Sequence, residues 1–480
     1  MAICWLIKTV AWVGWYRLLV PILEAMGDGR RIRGGDKKCA KLSAKMSENM
    51  RRLAGFRHSA LFSNSIYLLA GNALGALSGF VFWALSARLY PAETVGIASA
   101  SISAIALLAG ISHLGMGFGL IKFLPGRAPR EASRLINASL IIGLATGTLA
   151  AGIYLAGLDI WSSRLVTLRQ NPLLMAGFAG IVLASIASSV LDNTLISQRK
   201  SKYVTLRGII FSLGKIGMLL LLVRYLSQSG VLVSWGVALV VSLIFTALFL
   251  LPRALPGYRP GLALAPEGMK PMLGYSLANN VTAFLLSGPG TLLPLLVLQR
   301  VGAAENAYFY MAWAMAATLG LTAGSVATAL FVEGAHDAAE LPDNSWRALW
   351  MVLAVMVPVA VVALLLGKPV LGLFGPGYDS AAPLFYWLIA GLFPASVNQL
   401  FFGVLRAQSR LKELALLSAL ILVVTIAGSY FLLPRYGLVA AGWSWFAGEI
   451  AAALWVVAGN RRFMHVRGKL AGLLGEDSRK

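Results

Sequence analysis

Charge and cysteine are scarce in this chain. Asp, Glu, Lys and Arg together make only 12% of its 480 residues. A soluble globular domain carries about twice that share, so an ordinary water-facing surface is excluded. Acidic residues are scarcer than basic ones, 19 against 41, which gives a net charge of +22. The two cysteines, Cys4 and Cys39, both lie near the N-terminus. The remainder of the chain therefore has neither disulfides nor thiolate metal sites. Metal-ligand motifs, a nucleophile elbow and a phosphate-cradling glycine loop are missing as well. No catalytic residue, metal ligand or cofactor is expected.

What is present is apolar. Hydrophobic residues make 58% of the chain, and its mean hydropathy is +0.76. Apolar runs long enough for a spanning helix, about 18 residues or more, recur from Leu61 to Gly459. Barrel strands need only about ten residues of alternating polarity, so the runs predict an all-α polytopic membrane protein. Twelve spans are predicted, at roughly 61–87, 95–122, 135–158, 173–196, 206–226, 231–251, 272–299, 307–332, 348–366, 381–404, 413–433 and 437–458. The loops between them are short and leave no room for a soluble domain. A membrane polymerase or glycosyltransferase, which needs a sizeable external loop, fits poorly.

Lys and Arg set the expected orientation. If the N-terminus is cytoplasmic, 33 of the 41 basic residues fall on the cytoplasmic side and 7 outside, with Lys215 alone within a span. Both termini are therefore expected inside. The positive charge reflects this bias and the anionic leaflet beside it, and nucleic acid is not an expected partner. Residues 1–59 form a basic extension. Its segment "WLIKTVAWVGWYRLLVPIL", Trp5 to Leu23, is either an interfacial amphipathic helix or a thirteenth span, and residues 24–58 are expected to be flexible. A plainer reading starts translation at Met46 or Met50.

A phrase is written twice. "SARLYPAETVG" begins at Ser86 and "LQRVGAAENAY" at Leu298, aligning Arg88 with Arg300 and Glu93 with Glu305 at an offset of 212. "SQRKSK" from Ser197 and "AQSRLK" from Ala407 align at an offset of 210. Two signatures at nearly one spacing imply duplication of a six-helix unit. Six is even, so the halves enter the membrane the same way, as in transporters with two parallel bundles about a central cleft. The expected organisation is an extension 1–59, a bundle 60–255, a cytoplasmic linker 256–271, a second bundle 272–460 and a basic tail 461–480. The doubled phrase reads as an external helix-to-helix turn. Pro91 suits a first helical position, and Glu93 is expected to reach back to the Tyr90 N–H. Gly302 takes the cap place in the copy, and Arg88 and Arg300 close the preceding helices.

These halves, the basic links after spans 4 and 10, "ARLYPAETVGIASA", "LIKFLP" at the end of span 2 and "LFVEGAHD" from Leu330 together resemble the prokaryotic polysaccharide exporters. These are the O-antigen (Wzx-type) flippases of the multidrug/oligosaccharidyl-lipid/polysaccharide (MOP, MATE-like) superfamily. The resemblance covers about residues 60–460. It implies translocation of an undecaprenyl-diphosphate-linked oligosaccharide across the cytoplasmic (inner) membrane by alternating access, for lipopolysaccharide or related polysaccharide biosynthesis. Membrane lipids and other polysaccharide assembly proteins are the implied partners. An ion-coupled multidrug exporter of the same fold is the competing reading.

Polar groups within spans need a reason. Lys215 in span 5 is either a structural cation or a charge facing the cleft. Glu449 in span 12 could couple transport to a proton or sodium gradient, or pair with Lys215. Asp192 is either a helix-end group or a cleft residue. His113, among glycines, is an interhelical bond partner or a titrating group. Asn72 in span 1 and Asn279 and Asn280 in span 7 either bridge helices or hold sugar hydroxyls. Gly71, Gly75 and Gly79 share one face of span 1, which suits close packing or a hinge. Pro289 and Pro294 predict a kinked, cavity-lining span 7.

Overall fold

The computed structural model describes residues 60–262, 269–336, 341–408 and 410–459. The N-terminal extension, the end of the linker and the C-terminal tail lie outside these. Contacts divide the chain into Met1–Ser63 and Asn64–Lys480, and the helix bundle is built within the second unit.

The described residues are helices and the turns between them. Span 1 is α1 (Ala60–Leu89). Span 2 is split into α2 (Ala92–Ser112) and α3 (Met116–Phe123). Then come α4 (Pro129–Ala156), α5 (Pro172–Ser197), α6 (Ser201–Leu222) and α7 (Gly230–Phe245). A π-turn, Thr246–Leu250, and a short helix, Leu251–Ala254, extend α7. The second set is α8 (Met269–Arg300), α9 (Ala303–His336), α10 (Leu341–Gly372), α11 (Ala382–Ala407), α12 (Leu411–Tyr436) and α13 (Val439–Gly459). Among the described residues, eleven segments are long and apolar enough to cross a membrane. The other expected span, 307–332, lies within the 34-residue α9.

Proline and asparagine set the joints. Pro129 and Pro172 open α4 and α5, and Pro383 stands second in α11. The fixed φ of proline suits a first turn, where its missing N–H has no helical partner to lose. Asn171 caps α5 by accepting the Leu173 N–H at 2.9 Å. The duplicated basic link is repeated in the backbone itself. After α5 the Gln198 N–H bonds Thr194 O and the Lys200 N–H bonds Leu195 O, and after α11 the Gln408 N–H bonds Val404 O and the Arg410 N–H bonds Leu405 O. Donors and acceptors alike differ by the offset of 210 read from the sequence.

The doubled turn differs from expectation in one bond and in register: Pro91 is the cap of α2 and not its first residue, so Glu93 stands second where the third position was expected. The Tyr90 N–H is taken by Ser86 O at 3.0 Å, closing α1. Glu93 stands exposed at the second position of α2, whose cap is Pro91 and has no side-chain bond. The donor that a capping carboxylate would seek is already spent, so only the favourable placement of charge in the first turn remains. Arg88 donates from Nε to Leu373 O at 2.8 Å. The Arg300 guanidinium stacks 3.5 Å from the centre of the Tyr430 ring.

The two copies of the turn meet. Asn306, fully buried, donates from Nδ2 to Gly96 O at 2.8 Å and to Ser99 Oγ at 3.0 Å. Backbone runs against backbone here: a Cβ on Gly96 would overlap the Ala303 carbonyl oxygen and lie 2.6 Å from its carbon. Spans 2 and 8, the matched second helices of the two sixes, are thus locked at this end. Around them Trp83 meets Tyr310 at 4.6 Å and Tyr308 meets Tyr378 at 4.9 Å, ring centre to ring centre. Such pairs add about 0.5–1.5 kcal/mol beyond the area they bury.

Candidate functional site

The site forms where span 2 breaks. α2 stops at Ser112, Leu114 and Gly115 take left-handed φ of 49° and 69°, and α3 restarts at Met116. Gly115 is required twice over. Its φ suits glycine, and a Cβ there would overlap Ser276 O and lie 2.9 Å from Asn280 Cβ. Leu114 carries the same handedness with a full side chain, at a cost of roughly 1–2 kcal/mol. The break frees carbonyls that must find donors inside the protein. Asn280 Nδ2 on α8 reaches Gly110 O at 3.1 Å, and Thr146 Oγ1 on α4 reaches Ser112 O at 2.5 Å. The His113 ring completes the turn, its Nδ1 accepting the Gly115 N–H at 2.9 Å. An accepting Nδ1 carries no proton, so the ring holds its proton on Nε2.

A cavity of about 200 Å³ lies beside this break. Span 2 contributes Gly110, His113, Gly117 and Phe118 to its wall; α5 contributes Ser189 and Asn193; α8 contributes Asn280, Phe284, Ser287 and Thr291. Elements from both sixes therefore line it. Among the described residues no Asp, Glu, Lys or Arg is in the lining. Asn193 donates from Nδ2 to Ser189 O at 2.8 Å, and Thr291 bonds back to Gly288 O at 3.2 Å, so each keeps acceptor capacity for a guest. Beyond the cavity α3 closes on α8. The Lys122 ammonium sits 4.0 Å from the Tyr275 ring centre, and the Phe123 and Tyr275 rings meet at 5.9 Å. Span 2 is thus joined to α9 on one side of the cavity and to α8 on the other.

Of the residues singled out in the sequence, His113 and Asn280 reach this cavity. Asn279 turns back to Tyr275 O at 2.8 Å, and Asn72 is exposed on α1. Lys215 is buried on α6, its ammonium 5.1 Å from the Phe211 and 5.5 Å from the Phe82 ring centres. Aromatic faces are the environment that stabilises a cation where no carboxylate is at hand. Glu449 is buried on α13 and accepts from Asn398 Nδ2 at 2.7 Å. Lys215 and Glu449 accordingly sit in separate surroundings and do not pair with each other. Asp192 takes two bonds from the Arg207 guanidinium, that from Nε at 2.7 Å. It ties α5 to α6 and is not in the cavity wall. Among the described residues no three metal-binding side chains converge.

The irregular span is the second, where the seventh was expected. α8 runs unbroken through Pro289 and Pro294, both buried, although it does line the cavity. A proline removes one N–H from the ladder and leaves one carbonyl without its donor, whereas the left-handed pair at Leu114 and Gly115 interrupts the helix outright. The signal was present as "SHLGMGFG", with glycines at 115, 117 and 119. In α1 the expected close approach holds at Gly71, where a Cβ would come 3.1 Å from Thr205 Oγ1, while the space beside Gly75 and Gly79 is open.

No model of a known protein family matches the chain. Over 163 residues it is 27% identical to a protein of Shigella flexneri named "Putative O-antigen transporter"; the match spans 33% of this chain and 39% of that one. The chain thus matches about two fifths of that relative's length. Its helices and their length make it a multi-pass membrane protein. Its fold is that of MOP-superfamily transporters. It superposes on the lipid II flippase MurJ in an inward closed conformation with a TM-score of 0.70 at 13% identity, covering 83% of this chain and 87% of that one. An inward-facing MATE family transporter gives 0.63 at 16% identity, covering 84% and 96%. At such identities the likeness is one of fold, and these neighbours are transporters and not enzymes.

Proposed function

We propose that the chain flips a lipid-linked oligosaccharide across the cytoplasmic membrane by alternating access, with both termini inside. The observation that carries this reading is the cavity at the break of span 2. It is walled by helices of both sixes and joined across on each side, by Asn306 to Gly96 and Ser99 at one end and by Lys122 over Tyr275 at the other. A chamber between two seams is what a carrier needs between its inward and outward states, each seam opening in turn. The sequence likeness to a named O-antigen transporter supports the substrate class. A drug exporter of the same fold is supported by the MATE neighbour, but a cationic drug calls for a carboxylate in the chamber, and none of the described residues supplies one to its wall.

Two buried charges lie away from the chamber. Lys215, held between rings, supports a role in attracting the anionic lipid head. Glu449 supports coupling to a proton or sodium gradient, because the Asn398 Oδ1 and Thr425 Oγ1 atoms nearby in the fold are buried without partners and Gly448 brings α13 within contact of Thr425. The test is reconstitution of the full chain in liposomes. A fluorescent undecaprenyl-diphosphate-linked oligosaccharide should become accessible to a quencher in the opposite leaflet, and ethidium uptake should stay at the level of empty liposomes. Ethidium transport without lipid flipping would reverse the assignment.

A further inference from the structure

We propose that the chamber at the span 2 break is a subsite for one uncharged sugar ring of the substrate, and that the diphosphate is held elsewhere. The inference rests on the flippase reading and adds which part of the substrate the chamber takes. Three observations carry it. The first is chemistry. The wall offers amides and hydroxyls from Asn193, Asn280, Ser189 and Thr291, with no ionised group among the described residues. A diphosphate brought among neutral groups would lose its hydration without a counter-charge, at a large cost. Sugar hydroxyls, each both donor and acceptor, match amides and hydroxyls one for one.

The second is shape. Phe118 from span 2 and Phe284 from α8 are in the same wall. A pyranose has a C–H face that packs on an aromatic ring, leaving its edge for hydrogen bonds. The volume of about 200 Å³ is below the range of about 300–1,000 Å³ of drug-sized pockets, which suits one ring and not a bulky drug. The third is the placement of the nearby cation. Lys122 lies one helical turn beyond Phe118, about 6 Å along the axis, but its ammonium rests over the Tyr275 ring and outside the chamber. His113 adds a directed donor: with Nδ1 committed to Gly115, its Nε2–H is the group left for a guest. The wall therefore reads hydroxyl pattern and not charge, and specificity for the glycan resides in span 2, α5 and α8.

The experiment measures binding to the purified full-length protein by native mass spectrometry. The probes are undecaprenyl diphosphate bare, or bearing glucose, galactose, N-acetylglucosamine, N-acetylgalactosamine or galacturonate. At least one uncharged sugar should bind about tenfold or more tighter than the bare lipid, and galacturonate should gain nothing over it. Ala283→Trp, which fills the chamber from α8, should erase that margin. Thr291→Val, which removes one hydroxyl at nearly constant volume, should cut it about three- to tenfold and serves where the tryptophan variant does not fold. A margin that survives Thr291→Val and Ala283→Trp, a preference for galacturonate, or equal binding of bare and every sugar-bearing lipid overturns the inference while leaving the flippase reading intact. Failure of every probe to bind the wild type overturns both.

Discussion

Gly96→Ala tests the seam between the doubled turns. The added methyl overlaps Ala303 O and lies 2.6 Å from the carbonyl carbon. Both are backbone atoms at the start of α9, so no side chain can swing aside. Overpacking of this kind costs about 1–3 kcal/mol. It also moves the Asn306 amide away from Gly96 O, a bond worth about 1 kcal/mol. Together these give about 2–4 kcal/mol against the closed seam, a shift of roughly 30- to 1,000-fold in its opening equilibrium at 1.4 kcal/mol per tenfold. The scarcity of cysteine provides the assay. With Cys4 and Cys39 changed to serine, a cysteine at Ser99, which is fully buried, is protected from a membrane-impermeant maleimide while the seam is shut. Gly96→Ala should raise its labelling rate at least about 30-fold. Gly79→Ala, where a Cβ meets nothing within contact distance, should leave the rate unchanged. Equal rates in the Gly96→Ala and parent proteins, both inserted and folded, would refute the argument that this glycine contact holds the seam.

Other outcomes follow from the same geometry. Arg207→Ala strands Asp192 between α5 and α6, where both side chains are less than one fifth exposed; removing one partner of such a pair costs up to about 3–5 kcal/mol, and thermal unfolding in detergent should show a larger loss than for Asp192→Asn combined with Arg207→Gln. Tyr258→Phe deletes the hydroxyl that donates to Asn137 Oδ1 at 2.6 Å and should lower stability by about 1 kcal/mol, since it loosens the linker from α4 without touching the chamber. Gly75→Ala enters open space and should stabilise α1 by about 0.5–1 kcal/mol; flipping that slows while the melting temperature rises would identify Gly75 as a hinge. Glu449→Gln keeps a partner for Asn398 but removes the charge, and flipping in liposomes should lose its response to an imposed proton or sodium gradient while passive lipid binding persists.

What could be read from the sequence divides along a physical line. Spans and duplication are properties of local composition and spacing. The apolar runs returned as helices, and the offset of 210 reappeared as matched backbone bonds at Gln198 and Gln408. Intramembrane charge is also visible in one dimension, which is why Lys215, Glu449 and Asp192 drew attention. Their partners are not, because a side chain in lipid is satisfied by whatever helix the fold brings beside it. Asp192 is answered by Arg207, fifteen residues on, and Lys215 by two aromatic rings. The chamber escaped for the complementary reason. Its wall is made of residues unremarkable one by one, Ser189, Asn193, Phe284 and Thr291, on spans that only tertiary packing unites. The break in span 2 was not anticipated from the sequence, whereas span 7 was expected to line the cavity and does so. Proline lowers the stability of a helix at a known position, yet Pro289 and Pro294 sit buried inside a continuous α8. At the break after α2, backbone from α8 occupies the space a side chain on Gly115 would need. Clearance alone does not break a helix, because α2 runs through Gly96, where a Cβ would lie still closer to backbone; the left-handed pair at Leu114 and Gly115 is what interrupts the span. That pair lies against α8 at Ser276 and Asn280, and so beside the chamber that span 2 and α8 both line.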